Sequence, residues 1–160
     1  MSAHVPAKLR RVVSARAGGR CEYCLAPERL SFHTHQVDHI VAQKYGGETL
    51  AENHALSCIS GNQGKDADLS SLDPHTGEFT ALFHPRRQRW REHFELRGLF
   101  ILPETPTGRV TVRLLQLNAP ERIAEHEWFA VAGELTEPAS KECTCDVMTR
   151  SEVKGRLRCF

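Results

Sequence analysis

Three cysteines and a gap constrain this chain more than any other feature. Cys21-x-x-Cys24 has the spacing at which two thiolates reach one tetrahedral zinc ion from a tight knuckle. Cys58 offers a third sulfur, but the residue three positions beyond it is Gly61, where a second pair would place the fourth. Thioredoxin-like redox pairs share the C-x-x-C spacing, yet they follow a strand and open a helix inside a βαβ unit. Here a helical pattern precedes and an irregular loop through Pro27 follows, which favours zinc over redox chemistry. Structural zinc is nearly always four-coordinate, so three thiolates predict a weakened site. His33, His35, His54 or the Cys143-Thr144-Cys145 pair could replace the missing thiolate, and spacing selects none of them. The other expectation is a core held by packing without zinc.

The rest of the composition bounds the setting. A chain of 160 residues with 40% apolar and 26% charged content suits one globular domain with an appendage. No apolar run approaches the roughly eighteen residues of a membrane span. The N-terminus carries no secretory pattern, so a cytoplasmic address is expected, where cysteines read as thiols or metal ligands before disulfides. The net charge of +1 is a cancellation between regions. Residues 1–20 hold Lys8, Arg10, Arg11, Arg16 and Arg20 and no acid, and a second run reads Arg86-Arg87-Gln88-Arg89-Trp90-Arg91. Sixteen arginines stand against five lysines, and the guanidinium fork matches phosphate better than an ammonium does. Such runs are also common as solvated helix faces, so alone they are weak evidence for nucleic acid.

Local patterns place the elements. Pro6 opens a helix that Gly18-Gly19 stops, with Leu9, Val12 and Val13 expected inward. Residues 31–41 are rich in β-branched and aromatic types and read as extended. Gly46-Gly47 marks a turn or loop, and Ala55–Cys58 is a short apolar piece. A modest helix is expected after Asn62, ending before the turn Asp73-Pro74-His75-Thr76-Gly77. Residues 78–83 read as a strand and 93–101 as extended structure broken at Gly98. Pro106 begins a helix with Val110, Leu114 and Leu117 inward, and Pro120 a second with Ile123, Ala124, Trp128 and Val131 inward. The expected division is a basic N-terminal helix at 1–19, a core at 20–72, a strand and helix extension at 73–133 packed through Trp90, and a weakly ordered tail at 134–160.

Within the core, Asp38 and His39 are adjacent and on an ideal strand would face opposite sides. They can serve one site only if the strand ends or bends there. Asn53 follows His39 by fourteen residues and Asn62 follows Asn53 by nine. Each alone reads blandly, because a buried histidine is commonly structural and loop asparagines cap turns. The order Arg20-Cys21-Glu22-Tyr23-Cys24, Val37-Asp38-His39-Ile40-Val41, Gly46-Gly47, Glu52-Asn53-His54-Ala55-Leu56-Ser57-Cys58 and Asn62-Gln63-Gly64-Lys65 resembles the HNH endonuclease family. The segments at 82–94 and 108–118 are similar to the extension of small bacterial HNH proteins, which carries the likeness to about residue 130.

The resemblance implies an α+β fold built on a ββα-metal core, with an N-terminal helix, zinc-knuckle elements and a C-terminal strand and helix extension. It implies His39 as general base, Asp38 and Asn62 as ligands of a catalytic divalent ion, and Asn53 as the brace of the loop that orients the base. One carboxylate and one amide oxygen suit magnesium or manganese, with nickel or cobalt as borderline choices. Arg86, Arg87, Arg89, Arg91 and Lys65 are then the expected phosphate holders, and DNA the expected partner. The rival expectation is a catalytically silent nucleic-acid-binding zinc module of the same fold. No specificity domain is visible, so targeting is expected to be weak or to come from a protein partner, and oligomeric state stays open.

Overall fold

Proline opens and glycine closes the first helix, and two arginines decide which way it faces. A computed structural model describes residues 5–139. Helix α1 (Ala7–Arg16) follows Pro6, and Gly18 and Gly19 both take positive φ to turn the chain away. Val13 is buried, whereas Val12, expected inward, is 47% exposed. The cause is polar. Arg10 donates to the His35 carbonyl at 2.7 Å and pairs with Glu28, while Arg16 donates to the carbonyls of Ala51 and His54 at 2.9 and 2.7 Å. Positions 10, 13 and 16 share one helix face, so these anchors turn Val13 in and Val12 out.

Beneath α1, strands β1 (Gln36–His39) and β2 (His54–Ser57) form an antiparallel pair, with Asp38 opposite Ala55 and His39 opposite His54. Every residue of β2 is buried, because α1 packs against this pair and the knuckle loop crosses it through Glu22. Helix α2 (Ile59–Lys65) starts earlier than expected, since the Cys58 Sγ accepts the Gly61 N–H at 3.3 Å and caps it. It also ends earlier. Asp66 adopts φ 47° and the chain then enters β3 (Ser70–Leu72), which pairs with β4 (Phe79–Ala81) around the expected turn at Asp73.

The remaining chain covers the knuckle. Helix α3 (Trp90–His93) leads into the hairpin of β5 (Phe94–Arg97) and β6 (Phe100–Pro103), and α4 (Pro106–Leu114) packs on β6, β4 and β3. Trp90 joins the two parts as expected: its ring lies 5.2 Å from Phe94 and its Nε1–H donates to the Tyr23 carbonyl at 3.0 Å. Tyr23, Phe83, Phe94, Ile101, Val110 and Phe129 belong to one continuous core with the cysteines. Helix α5 (Pro120–Val131) is rotated from its expected orientation. Trp128 and Val131 are 58% and 80% exposed and Ala124 is exposed, while Arg122, His126 and Phe129 point inward. Arg122 sets that rotation by reaching the cysteine sulfurs. No helix among the described residues is long and apolar enough to cross a membrane. Cys143, Cys145 and the tail beyond 139 lie outside the described residues.

Candidate metal and histidine site

Residues two apart on a strand share a face, so Gln36 and Asp38 look the same way. That way is toward α2. Asn62 Nδ2 donates to Gln36 Oε1, and Lys65 Nζ lies 3.2 Å from Asp38 Oδ2. The structure therefore gathers Asp38 and Asn62 on one face between β1 and α2. His39 ends the strand, after which the chain bends at Ile40 and Val41. Its Nε2 lies 3.1 Å from the Thr49 hydroxyl, and its ring stands 4.2 Å from that of His54 across the strand pair. Burial first, then the neighbouring His54 and Lys65, holds the His39 imidazole below its ordinary pKa. Neutral imidazole is the form that follows at neutral pH.

Lys65, expected to hold phosphate, is 3% exposed and turned inward instead. Its ammonium donates to the carbonyls of His39 and Asp66 at 3.0 and 3.3 Å as well as pairing with Asp38. The Asp38 carboxyl is pushed up to about 6, by burial first, with Lys65 opposing the shift. Its Oδ2 is buried and has the ion pair but no well-formed hydrogen bond. A buried carboxylate oxygen with spare capacity fits a small hard cation, and the Asn62 carbonyl oxygen is a donor of the same kind. In this arrangement the positive charge at Asp38 is the lysine.

Asn53 ties the loop that leaves β1 to the entry of β2. Its Oδ1 accepts the Val41 N–H at 2.9 Å, and its Nδ2 donates to the carbonyls of Val41 and Glu48 at 2.9 and 3.0 Å. Gly47 is required here for close approach, because a Cβ would sit 1.7 Å from the Val41 oxygen. Beside the loop opens a groove of about 620 Å³, lined by Gly47 and Asn53 together with Arg16, His84, Arg86 and Arg87. Of the expected phosphate holders, Arg86 is half-buried and paired with Glu22, and Arg91 is held by Glu137 and the Pro138 carbonyl. Arg87 and Arg89 are exposed and make no ion pair among the described residues.

The three expected zinc thiolates do come together: the sulfurs of Cys21, Cys24 and Cys58 are buried and lie within 4.8 Å of one another. Hydrogen bonds from Cys21 and Cys24 first, then the Arg122 guanidinium and the Gly61 N–H, pull the Cys58 thiol far below its usual range. Burial pushes the Cys21 thiol up to about 12. His35 is turned to the Ala26 carbonyl and His54 to the Leu50 carbonyl, so neither joins the cluster. Arg122 Nη2 stands instead 2.7 Å from Cys24 Sγ and 3.1 Å from Cys58 Sγ. A guanidinium has no lone pair to give a metal, so Arg122 is not a fourth ligand of a tetrahedral zinc site. Sequence reasoning missed Arg122, although Arg122, His126 and Phe129 recur at helical spacing and form an alternative inward stripe.

The family model described as HNH endonuclease matches from Cys21 to Asp68, a span that takes in the cysteine cluster, Asp38, His39, Asn53 and Asn62. No curated protein and no solved structure matches the chain. Residues 21–68 of this α+β protein are thus similar to the HNH endonuclease family.

Proposed function

We propose that the chain is a metal-dependent endonuclease that hydrolyses DNA phosphodiester bonds, with His39 as its general base. The observation that carries this reading is the His39 imidazole, half-buried and held neutral at the end of β1 within the matched segment. A neutral imidazole can take the proton of an attacking water, a contribution on the order of 10²–10⁴-fold. Thr49 and His54 fix the ring, and Asn53 closes the loop that carries Thr49. Asp38 and Asn62 would hold the divalent ion, magnesium or manganese by donor type, with Lys65 yielding the carboxylate. When bound, such an ion stabilises charge on the phosphate and the departing 3′ oxygen. Arg87 and Arg89, exposed at the start of the extension, would hold flanking phosphates.

Plasmid DNA incubated with the protein and magnesium, manganese or nickel, beside His39→Ala, tests the reading. Cleavage lost in the variant while DNA binding persists is the expected result. Cleavage unchanged in His39→Ala removes the base from this role. One observation favours the rival, a silent nucleic-acid-binding module: Lys65 already neutralises Asp38. Binding without cleavage under every metal would select it.

A further inference from the structure

We propose that Arg122 closes the three-cysteine cluster in place of a zinc ion, so that a guanidinium–sulfur contact from α5 holds this knuckle together. Three independent features converge on it. The first is the gap itself. Gly61 supplies no sulfur, and its N–H donates to Cys58 Sγ at 3.3 Å, so the position that would carry a fourth thiolate serves the third. The second is geometry. Arg122 reaches across 98 residues of sequence to Cys24 and 64 to Cys58, with Nη2 within 3.1 Å of both sulfurs. A zinc ion bonded to the same sulfurs at about 2.3 Å would share that space with a second cation, with no ligand between them.

The third feature is charge. Arg122 is 5% exposed, and a buried guanidinium needs an anion beside it. Its Nη1 reaches Glu125 at 3.1 Å on the half-exposed side of α5, and the sulfurs receive Nη2 on the inner side. One arginine thus couples the last helix to the knuckle and takes over the cross-linking role of a metal. This would account for the inward rotation of α5 and for the survival of three buried cysteines without a fourth. It stands apart from the nuclease reading, because the sulfurs bond to one another, to Arg122 and to the Gly61 N–H rather than to the side chains of Asp38, His39, Asn53 or Asn62.

The competing fourth ligand is His126. It is fully buried, its Nδ1 lies 2.7 Å from the Leu99 carbonyl, and its Nε2 has no partner. A histidine so oriented is how a zinc ligand is often held. The measurement that separates the two is zinc content by elemental analysis of the full-length protein, equilibrated with zinc and then dialysed against a weak chelator. We expect substoichiometric zinc in the wild type and in His126→Ala, and close to one zinc per chain in Gly61→Cys/Arg122→Ala. A cobalt titration read by the sulfur-to-metal charge-transfer band should follow the same order. Arg122→Lys, which keeps the charge but loses the fork, should melt at lower temperature than the wild type and gain nothing from added zinc. Stoichiometric zinc retained by the wild type would overturn the proposal, and its loss in His126→Ala would name the true fourth ligand.

Discussion

Replacing Asn53 by alanine should loosen the loop between β1 and β2 without touching the histidine it serves. The side chain makes three hydrogen bonds, at 2.9, 2.9 and 3.0 Å, to both backbone groups of Val41 and to the Glu48 carbonyl. At about 1 kcal/mol net each, their loss amounts to about 3 kcal/mol. Backbone bonds remain, among them those from Ile40 N–H to the Asn53 carbonyl at 2.9 Å and from Gly47 N–H to the Ala42 carbonyl at 3.2 Å, so the loop opens rather than dissolves. A change of 3 kcal/mol is roughly a hundredfold in the opening equilibrium. Hydrogen exchange should therefore show the Val41 amide exchanging about a hundred times faster in Asn53→Ala, while amides in β5 and β6 are unaffected. If opening is coupled to global unfolding, Tm falls by about 6–12 °C. Asn53→Asp keeps the acceptor and should sit between the two. Gly47→Ala should reproduce the effect from the other side of the loop, since its Cβ would collide with the Val41 oxygen. Wild-type protection at Val41 together with an unchanged Tm in Asn53→Ala would refute the bracing role.

Other expectations rest on single contacts. Lys65→Met strands a buried carboxylate and should cost about 3–5 kcal/mol in chemical denaturation, and Lys65→Met/Asp38→Asn should recover most of it. If the single variant is as stable as the wild type, the ion pair is not what holds α2 on β1. Asp73 is held well below the usual carboxylate range, first by the two hydrogen bonds from Arg109 at 2.9 and 2.6 Å, then by the His75 N–H. A depressed pKa means its stabilisation is present above the ordinary value of about 4 and drains as pH falls toward the folded-state value. Thermal melts of Asp73→Asn should accordingly show a flatter decline than the wild type below about pH 4; parallel curves would contradict this. Trp90→Phe leaves the Tyr23 carbonyl buried without its donor and should lower stability by about 1–3 kcal/mol, read by chemical denaturation.

Much of the architecture was legible because its signals are local. Pro6, Pro106 and Pro120 do stand at helix starts, Gly98 does break a hairpin, and the turn at Asp73 does separate two strands. The HNH motif was legible for a similar reason, being carried by ordered spacings within Cys21–Asp68. Orientation was not. Val12, Trp128 and Val131 are expected inside from apolar periodicity, which cannot foresee the arginines that anchor each helix, Arg10 and Arg16 through backbone carbonyls on α1 and the buried Arg122 through the sulfurs on α5. Position 65 illustrates the same limit, because Lys65 reads as a phosphate holder until α2 lies on β1 and Asp38 is found beneath it.

The sequence by itself determined where the proline-led helices start and where the turns fall, which family the 21–68 segment resembles, and that a fourth thiolate is missing. Those properties depend on backbone preferences and on spacings along the chain. Only the tertiary structure decided what stands in the gap, which cations are exposed, and what each candidate residue touches. Arg122 is 98 residues from Cys24 and Lys65 is 27 from Asp38 in the numbering, and such pairings arise from packing rather than from local pattern. A buried charge is costly wherever it sits, so its partner is chosen by the fold that brings an opposite charge within reach.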